Sequence, residues 1–235
     1  MNNQYNYPGQ ELAAFEKAVN WKRYFCSFIK PFIGKNVLEV GGGTGANTSL
    51  LNRNPDIKWT LLEPDEKMSK ILQKKIETES QFSNCTVLTE TIFQLPSKGQ
   101  FDTIIYVDVL EHIQDDKAEM KRAFDLLCAG GHLIILSPAH NFLFSSFDKE
   151  IGHFRRYTAN ALKQVIPEEL ELIELQYLDS IGLFALLAYK LFWNRPYPSK
   201  KQIGIWDQYI IPISKRTDRI FLNAFGKSIL GVWRK

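Results

Sequence analysis

Cysteine is scarce, with three in 235 residues: Cys26, Cys85 and Cys128. Their odd number and wide spacing give neither a disulfide framework nor a metal-ligand motif, so they read as reduced core residues and no metal is expected. An excess of either charge is also missing. Twenty-nine Lys and Arg against 26 Asp and Glu leave a net charge of +3, too little to argue for a nucleic-acid partner. No apolar run reaches the ~20 residues that a bilayer-spanning helix requires; the longest, 181–193, is interrupted by Lys190. The opening residues, MNNQYNYPGQ, lack the basic-then-apolar pattern of a secretory signal. These absences point to a cytoplasmic protein without a transmembrane segment.

What is present is a globular composition, 45% hydrophobic and 23% charged, on a chain long enough to bury a large core. Residues 11–30 place Leu12, Phe15, Val19, Tyr24 and Phe28 at roughly helical spacing, and Pro31 closes that segment. A strand over 36–40 then breaks into Gly41-Gly42-Gly43-Thr44-Gly45. Strands over 58–62, 85–89, 101–108, 131–137 and 171–178 alternate with helices over 65–76, 115–127 and 159–166. Strands as apolar as Thr103-Ile104-Ile105-Tyr106-Val107 belong to a parallel sheet covered by helices on both faces. Residues 180–224, rich in aromatics and prolines, break the pattern and read as a helical insertion. A last strand, 228–233, returns to the sheet edge, antiparallel to its neighbour. The expected fold is therefore α/β: a Rossmann-like, doubly wound, mostly parallel seven-stranded sheet. It forms one domain, 1–235, made of an N-terminal helical cover (1–35), a cofactor-binding core (36–179), the insertion (180–224) and the last strand (225–235). Tyr5 and Tyr7 either fold over the cofactor or remain disordered.

In such sheets ligands bind beyond the carboxyl ends of the strands, where strand order reverses, so the loop after the first strand is the place to look. Its glycines permit a tight turn and a close backbone approach. Taken alone they are ambiguous, because Gly41, Gly43 and Ala46 also satisfy the G-x-G-x-x-A variant of the nicotinamide and flavin fingerprint. Glu39 is expected to separate the two cases. A carboxylate beside the turn would repel a pyrophosphate and favour a ligand carrying a sulfonium and an ammonium. Glu63 ends the second strand about 20 residues further on, where a carboxylate can accept from both ribose hydroxyls. Asp108 ends the fourth strand at the same face, in Val-Asp108-Val-Leu-Glu111-His112. Either acid alone could be no more than a helix N-cap.

The series Glu39-Val-Gly41-Gly-Gly43-Thr-Gly45, Leu-Glu63-Pro-Asp65 and Asp108-Val-Leu-Glu111-His112 resembles the class I S-adenosylmethionine-dependent methyltransferases, over most of 36–138. The resemblance implies S-adenosylmethionine as cofactor and S-adenosylhomocysteine as product. It puts Glu39, Gly41 and Gly43 beside the methionine part, Glu63 with Pro64 at the ribose, and Thr91 and Ile92 along the adenine. Asp108 and Val109 would lie against the methionine or the ring. The family often has an aspartate where this chain has Thr91. Met68 would pack on the adenine or in the core. Base-modifying members often carry a polar-Pro-Pro-aromatic signature where this chain has Asp-Val-Leu-Glu, which again argues against nucleic acid.

On the acceptor side, residues 137–158 are similar to a stretch, of GHxRRYT type, in a branch of that family that often accompanies bacterial sugar and polysaccharide genes. His140, Arg155, Arg156 and Tyr157 are candidate acceptor contacts, with the arginines able to clamp a carboxylate or phosphate in bidentate fashion. His153 and His112 are candidate catalytic groups, His153 as acceptor of a hydroxyl proton. The alternative is a rigid lid in which Asp148 or Glu150 pairs with an arginine and Thr158 caps the next helix. Seven basic residues of the insertion (Lys190, Arg195, Lys200, Lys201, Lys215, Arg216, Arg219) stand against Asp207 and Asp218. They are either a surface for a lipid-linked substrate, in peripheral contact with a membrane, or a solvated face. The expected function is methyl transfer to oxygen or nitrogen of a small-molecule or saccharide-linked acceptor. The rivals are a nicotinamide-dependent oxidoreductase and a non-catalytic cofactor-binding regulatory protein.

Overall fold

A computed structural model describes residues 15–96, 98–192 and 199–235; Tyr5, Tyr7 and Arg195 lie outside the described residues. The strands are β1 (Asn36–Val40), β2 (Lys58–Leu62), β3 (Cys85–Leu88), β4 (Phe101–Val107), β5 (Leu127–Pro138), β6 (Glu171–Leu178) and β7 (Ser228–Arg234), in the order β3-β2-β1-β4-β5-β7-β6. The first five are parallel, and the winding reverses between β1 and β4. This is the Rossmann-like sheet expected from the sequence, with one correction. β7 does not close the edge: it lies between β5 and β6, antiparallel to both. Burial explains the exchange. β7 is buried at six of its seven residues, whereas β6 begins with three exposed ones. The strand that is apolar on both faces takes the interior position.

Alternate residues of each strand feed two cores. Val37, Leu61, Ile105 and Ile134 pack beneath α1 (Val19–Ile29), which buries Trp21, Tyr24, Phe25 and Ile29. Leu38, Leu62, Ile104 and Ile135 face the other layer, formed by helices α4 (Asp116–Leu126) and α6 (Ala159–Val165). Between these lie α2 (Thr48–Leu51) and α5 (Ser146–Glu150), two short helices that the sequence pattern does not announce, and α3 (Glu66–Thr78). α3 starts where it does because the Asp65 carboxylate accepts from the backbone N–H groups of Lys67 and Met68.

The described residues between β6 and β7 are mostly helical, as expected: α7 (Ser180–Phe192), and α8 (Lys200–Ile205), which runs through a π-helical stretch, Trp206–Ile210, into α9 (Ile211–Ile220). Three buried aspartates fasten it to the rest. Asp207 accepts from the N–H groups of Asn20 and Trp21 at 3.1 and 2.8 Å, capping the first turn of α1 from 186 residues away. Asp218 accepts from the Tyr24 hydroxyl at 2.8 Å and from the N–H groups of Asp179 and Ser180 at 2.7 and 2.9 Å. Asp179 accepts from Trp206 Nε1 at 2.7 Å and from Gly182 N at 2.9 Å.

Glu39 is the second correction. It shares the sheet face of Val37, is 1% exposed, and accepts from Thr48 Oγ1 at 2.6 Å. Its surroundings include Cys26 and Cys85 rather than an open crevice. The carboxylate thus ties β1 to α2 across the glycine turn from below, because strand alternation sends residue 39 into the layer under α1. Burial pushes it up to about 7, against the opposing effect of the Thr48 bond.

Two outcomes follow. Asp218→Ala should leave a phenol and two buried N–H groups without an acceptor and cost about 3 kcal/mol, read from denaturant unfolding; a loss below ~1 kcal/mol would mean water replaces the carboxylate. For Glu39, the folded state keeps a proton that the unfolded chain loses near 4.5. Stability therefore falls as pH rises from that value through about 7. Glu39→Gln should flatten this slope in part, leaving the share of the other carboxyls that burial raises, Glu119 (up to about 7), Glu63, Asp108 and Glu111. Parallel melting curves for wild type and variant from about pH 5 to about pH 8 would show instead that Glu39 stays ionised.

Candidate active site

A cavity of about 1620 Å³ opens at the carboxyl ends of β1, β2 and β4, at the point where the winding reverses. Its floor is the glycine turn. Gly41 has φ +70°, and a Cβ there would come within 2.5 Å of the Val109 side chain, so a residue other than glycine would collide with the cavity wall. Gly43, at φ +54°, donates its N–H to Glu63 Oε2 at 2.8 Å. The other oxygen of Glu63 accepts from Asp65 N at 3.0 Å. Burial raises the Glu63 carboxyl, with these two backbone bonds opposing. A carboxylate has about four lone-pair sites, so capacity remains for two ligand hydroxyls. Pro64, Met68, Thr91, Ile92 and Val109 line the same cavity, and the Thr91 turn is fixed by a reciprocal capping box with Gln94. Of the residues that the sequence assigns to the cofactor, Glu39 alone stands outside this lining.

Asp108 faces the cavity from the end of β4 with φ +53°, a left-handed conformation that a residue other than glycine adopts at a cost. Its carboxyl is raised by the surrounding protein, and His153, Lys227, Lys22 and Arg156 act in the opposite sense. Lys227 is held 3.6 Å above the Trp206 ring and 3.5 Å from Asp179. Neither Lys22 nor Lys227 is singled out by sequence reasoning. Each reaches the site from an element remote in the chain and leaves no local signal.

Close to Asp108, the lining also carries Glu111, His112 and His153. Glu111 is fully buried; one carboxylate oxygen accepts from Ser137 Oγ at 2.8 Å, while the other has no hydrogen-bond partner among the described residues and lies 3.8 Å from His153 Nε2. The His112 and His153 rings meet edge to face, 4.4 Å between centroids. Burial, with His153 adding to it, pushes His112 down to about 3. His153 Nδ1 bonds Asp148 Oδ1 at 2.9 Å, and Arg156 forks onto the same carboxylate at 2.9 and 3.0 Å. Burial would raise Asp148, but His153 and Arg156 outweigh it and hold it well below the usual carboxylate range.

These bonds revise the acceptor assignments. Arg155 gives its terminal nitrogens to Asp116 and to the Gln114 carbonyl, and Arg156 gives its fork to Asp148. Neither is an open clamp for an anion. Tyr157 is 1% exposed and donates to Asp116 at 2.7 Å, a core position. His140 stacks on Tyr177, 4.8 Å between centroids, outside the cavity lining. Thr158 caps α6 by accepting from Ala161 N. The loop is thus the paired lid of the alternative reading, and it lines the cavity with His153, Asp148 and Arg156 among others. Further walls come from α1 (Trp21, Phe25) and from α7 (Ala185, Leu186).

With Glu39 turned inward, preference for a cationic ligand rests on other groups. Within the turn, the N–H of Gly43 already serves Glu63, and those of Gly42 and Gly45 serve the Leu62 and Gly42 carbonyls. The helix that follows is only four residues long, too short to offer the dipole of a dinucleotide site. Glu63 and Asp108 both face the space, so the wall favours a sulfonium and an ammonium over a diphosphate.

The family described as "Methyltransferase domain" matches residues 18–173. Relatives include the demethylmenaquinone methyltransferase of Tropheryma whipplei, 28% identical over 130 residues, 55% of this chain and 52% of that protein. The ubiquinone biosynthesis O-methyltransferase of Psychrobacter cryohalolentis is 27% identical over 173 residues, covering 68% and 66%. The chain spans about half the length of the first of these, 52%. Among solved structures, coclaurine N-methyltransferase bound to N-methylheliamine and S-adenosylhomocysteine superposes with a TM-score of 0.62 at 11% identity, over 93% of this chain and 72% of that one. The cyclase SpnF does so at 0.64 and 15%, over 97% and 94%, so likeness at this level speaks for the fold alone. The matched region, by contrast, contains β1 to β5, the glycine turn, Glu63, Asp108 and the histidine wall, and the chain belongs to the methyltransferase-domain family.

Proposed function

We propose that the chain moves a methyl group from S-adenosylmethionine, releasing S-adenosylhomocysteine, to an oxygen or nitrogen of a small-molecule or saccharide-linked acceptor. The observation that carries this reading is one continuous cavity bordered by the glycine turn, Glu63 and Asp108 and also by Glu111, His112 and His153. At about 1620 Å³ it exceeds the ~300–1,000 Å³ of an ordinary ligand pocket and has room for a cofactor and an acceptor together. Gly41, Gly43, Glu63, Pro64, Thr91, Ile92, Asp108 and Val109 take the cofactor, and Glu39 supports their turn from behind. His112, Glu111 and His153 face the acceptor. A sulfonium methyl is already activated, so the protein has mainly to hold the acceptor atom ~3–3.5 Å away, in line and shielded from water. The apolar residues of α1 and α7 supply that shielding. Relatives named for C-methylation and for O-methylation share this core, so the choice of atom falls to the acceptor wall.

A lipid-linked acceptor, met in the cytoplasm at a membrane surface, is favoured by the outer face of α8 and α9. Tyr209, Ile213 and Ile220 are 50–73% exposed at near-helical intervals, and Leu222 is 87% exposed. Lys200, Lys201, Lys215, Arg216 and Arg219 stand exposed around them. An apolar stripe rimmed by cations suits an anionic bilayer. No helix among the described residues is long and apolar enough to cross one. Two relatives are named for quinones. The saccharide-gene branch suggested by the 137–158 loop is compatible with the same surface.

Glu63→Ala should weaken S-adenosylhomocysteine binding by roughly 10- to 100-fold, the worth of one charge-assisted hydrogen bond, measured by calorimetry. An unchanged dissociation constant would remove Glu63 from the site, and tight NADH binding would favour the oxidoreductase. Formation of S-adenosylhomocysteine in the presence of a metabolite and lipid extract separates an enzyme from a non-catalytic binder. For the membrane face, the protein should co-sediment with phosphatidylglycerol vesicles at low salt, and Ile213→Asp with Leu222→Asp should abolish this. Equal sedimentation of wild type and double variant would make the stripe a solvated surface.

A further inference from the structure

From the histidine wall we infer a binding site for a divalent transition-metal cation held by Glu111, His112 and His153. The three side chains offer ligand atoms within 4.8 Å of one another, and all three border the cavity. Two imidazoles and one carboxylate suit first-row ions such as Mn2+ or Zn2+ better than the all-oxygen shells of Mg2+ and Ca2+.

The structure gives two independent reasons why this cluster is more than a chance meeting. One is Glu111 Oε1, a carboxylate oxygen in a fully buried residue that lacks a hydrogen-bond partner among the described residues and is nearest to His153 Nε2, at 3.8 Å. Leaving such an atom unserved is costly unless something absent from the polypeptide serves it. The other is how the rings are held from behind. Asp148, itself fixed by Arg156 and Ser145, accepts from His153 Nδ1. In the tautomer that donates from Nδ1 to this carboxylate, Nε2, 3.8 Å from the orphan oxygen, is left as a ligand atom. His112 is anchored by the Gly152 backbone. A carboxylate or backbone group on the far nitrogen of a histidine is the usual support of a metal-ligating ring.

Three protein ligands leave coordination positions open toward the cavity. The acceptor class this favours is one that can chelate through two neighbouring oxygens, a vicinal diol or a hydroxy-carboxylate. That extension rests on the methyl-transfer reading; the cation site does not, and it is tested without turnover. The dispersed cysteines give the expectation of no metal, and the proposed cluster departs from it.

The test uses the whole chain, stripped with a chelator and titrated with MnCl2 and, separately, ZnCl2, by calorimetry and, for Mn2+, by electron paramagnetic resonance. One ion per chain is expected. Glu111→Gln and His153→Asn should each weaken it by at least about tenfold, while S-adenosylhomocysteine affinity stays within about twofold, which also shows that the variants fold. Should either variant fail to fold, crystals of the wild type soaked in MnCl2 should show an anomalous peak between the three side chains. Binding of neither cation, binding that survives both substitutions, or a peak elsewhere would overturn the site. If the ion binds at these residues but no acceptor is methylated, the site stands and the methyl-transfer reading falls.

Discussion

The cavity depends on one carboxylate that serves two backbone segments. Glu63 takes the N–H of Gly43 with one oxygen and that of Asp65 with the other, so the glycine turn after β1 and the start of α3 after β2 are set against each other by a single side chain. Asp65 then caps α3. Loops normally wander more than the strands they leave; here their geometry is inherited from the sheet through charge-assisted bonds, each worth about 1.5–3 kcal/mol. The floor is therefore rigid before any ligand arrives, and a ligand's ordering cost is correspondingly smaller.

The same device recurs around the molecule. Asp207, Asp218 and Asp179 bind the α7–α9 segment to α1 and to the end of β6; Asp148 binds the lid; Asp116 binds Arg155 and Tyr157. Each of these acids accepts several donors, which is what allows a charge to remain buried. Segments far apart in sequence are thereby drawn to one end of the sheet, and apolar helices, which alone would only cover the core, become walls of the cavity.

Much of this was legible from residue order, and what was not has a common cause. Strand alternation, the glycine turn and the acids at the ends of β2 and β4 are local patterns, and local patterns located the sheet, its reversal point and most of the cavity floor. The position of β7 between β5 and β6 was missed because order within a sheet is a property of pairing, although the apolar run Ile229–Leu230 and Val232–Trp233 against the more polar Glu171–Leu178 contained the hint. Arg155, Arg156 and Tyr157 were read as acceptor contacts because charged and aromatic residues in a loop resemble a binding surface; their partners, Asp116 and Asp148, cannot be matched to them without coordinates. Glu39 was misjudged for a different reason. Its spacing from the glycines was read as nearness to the ligand, whereas the period of two that governs β1 assigns residue 39 to the face of Val37, beneath α1.

That reversal shifts which charges govern selectivity without changing its sign. A carboxyl pushed up to about 7 and bonded to Thr48 is a poor electrostatic beacon, since part of its population is neutral near neutral pH. Asp108 and Glu63 are better placed, one open to the cavity and one at its floor, and they face a wall whose cations are committed: Arg156 to Asp148, Lys227 to Asp179 and the Trp206 ring. A diphosphate entering this space would meet two carboxylates with few uncommitted positive partners. A sulfonium ligand would meet the same groups as counter-charges, and His112, which burial pushes down to about 3, adds no positive charge of its own. The preference is thus set by the two carboxylates, Asp108 and Glu63, that border one cavity whose cations are already paired.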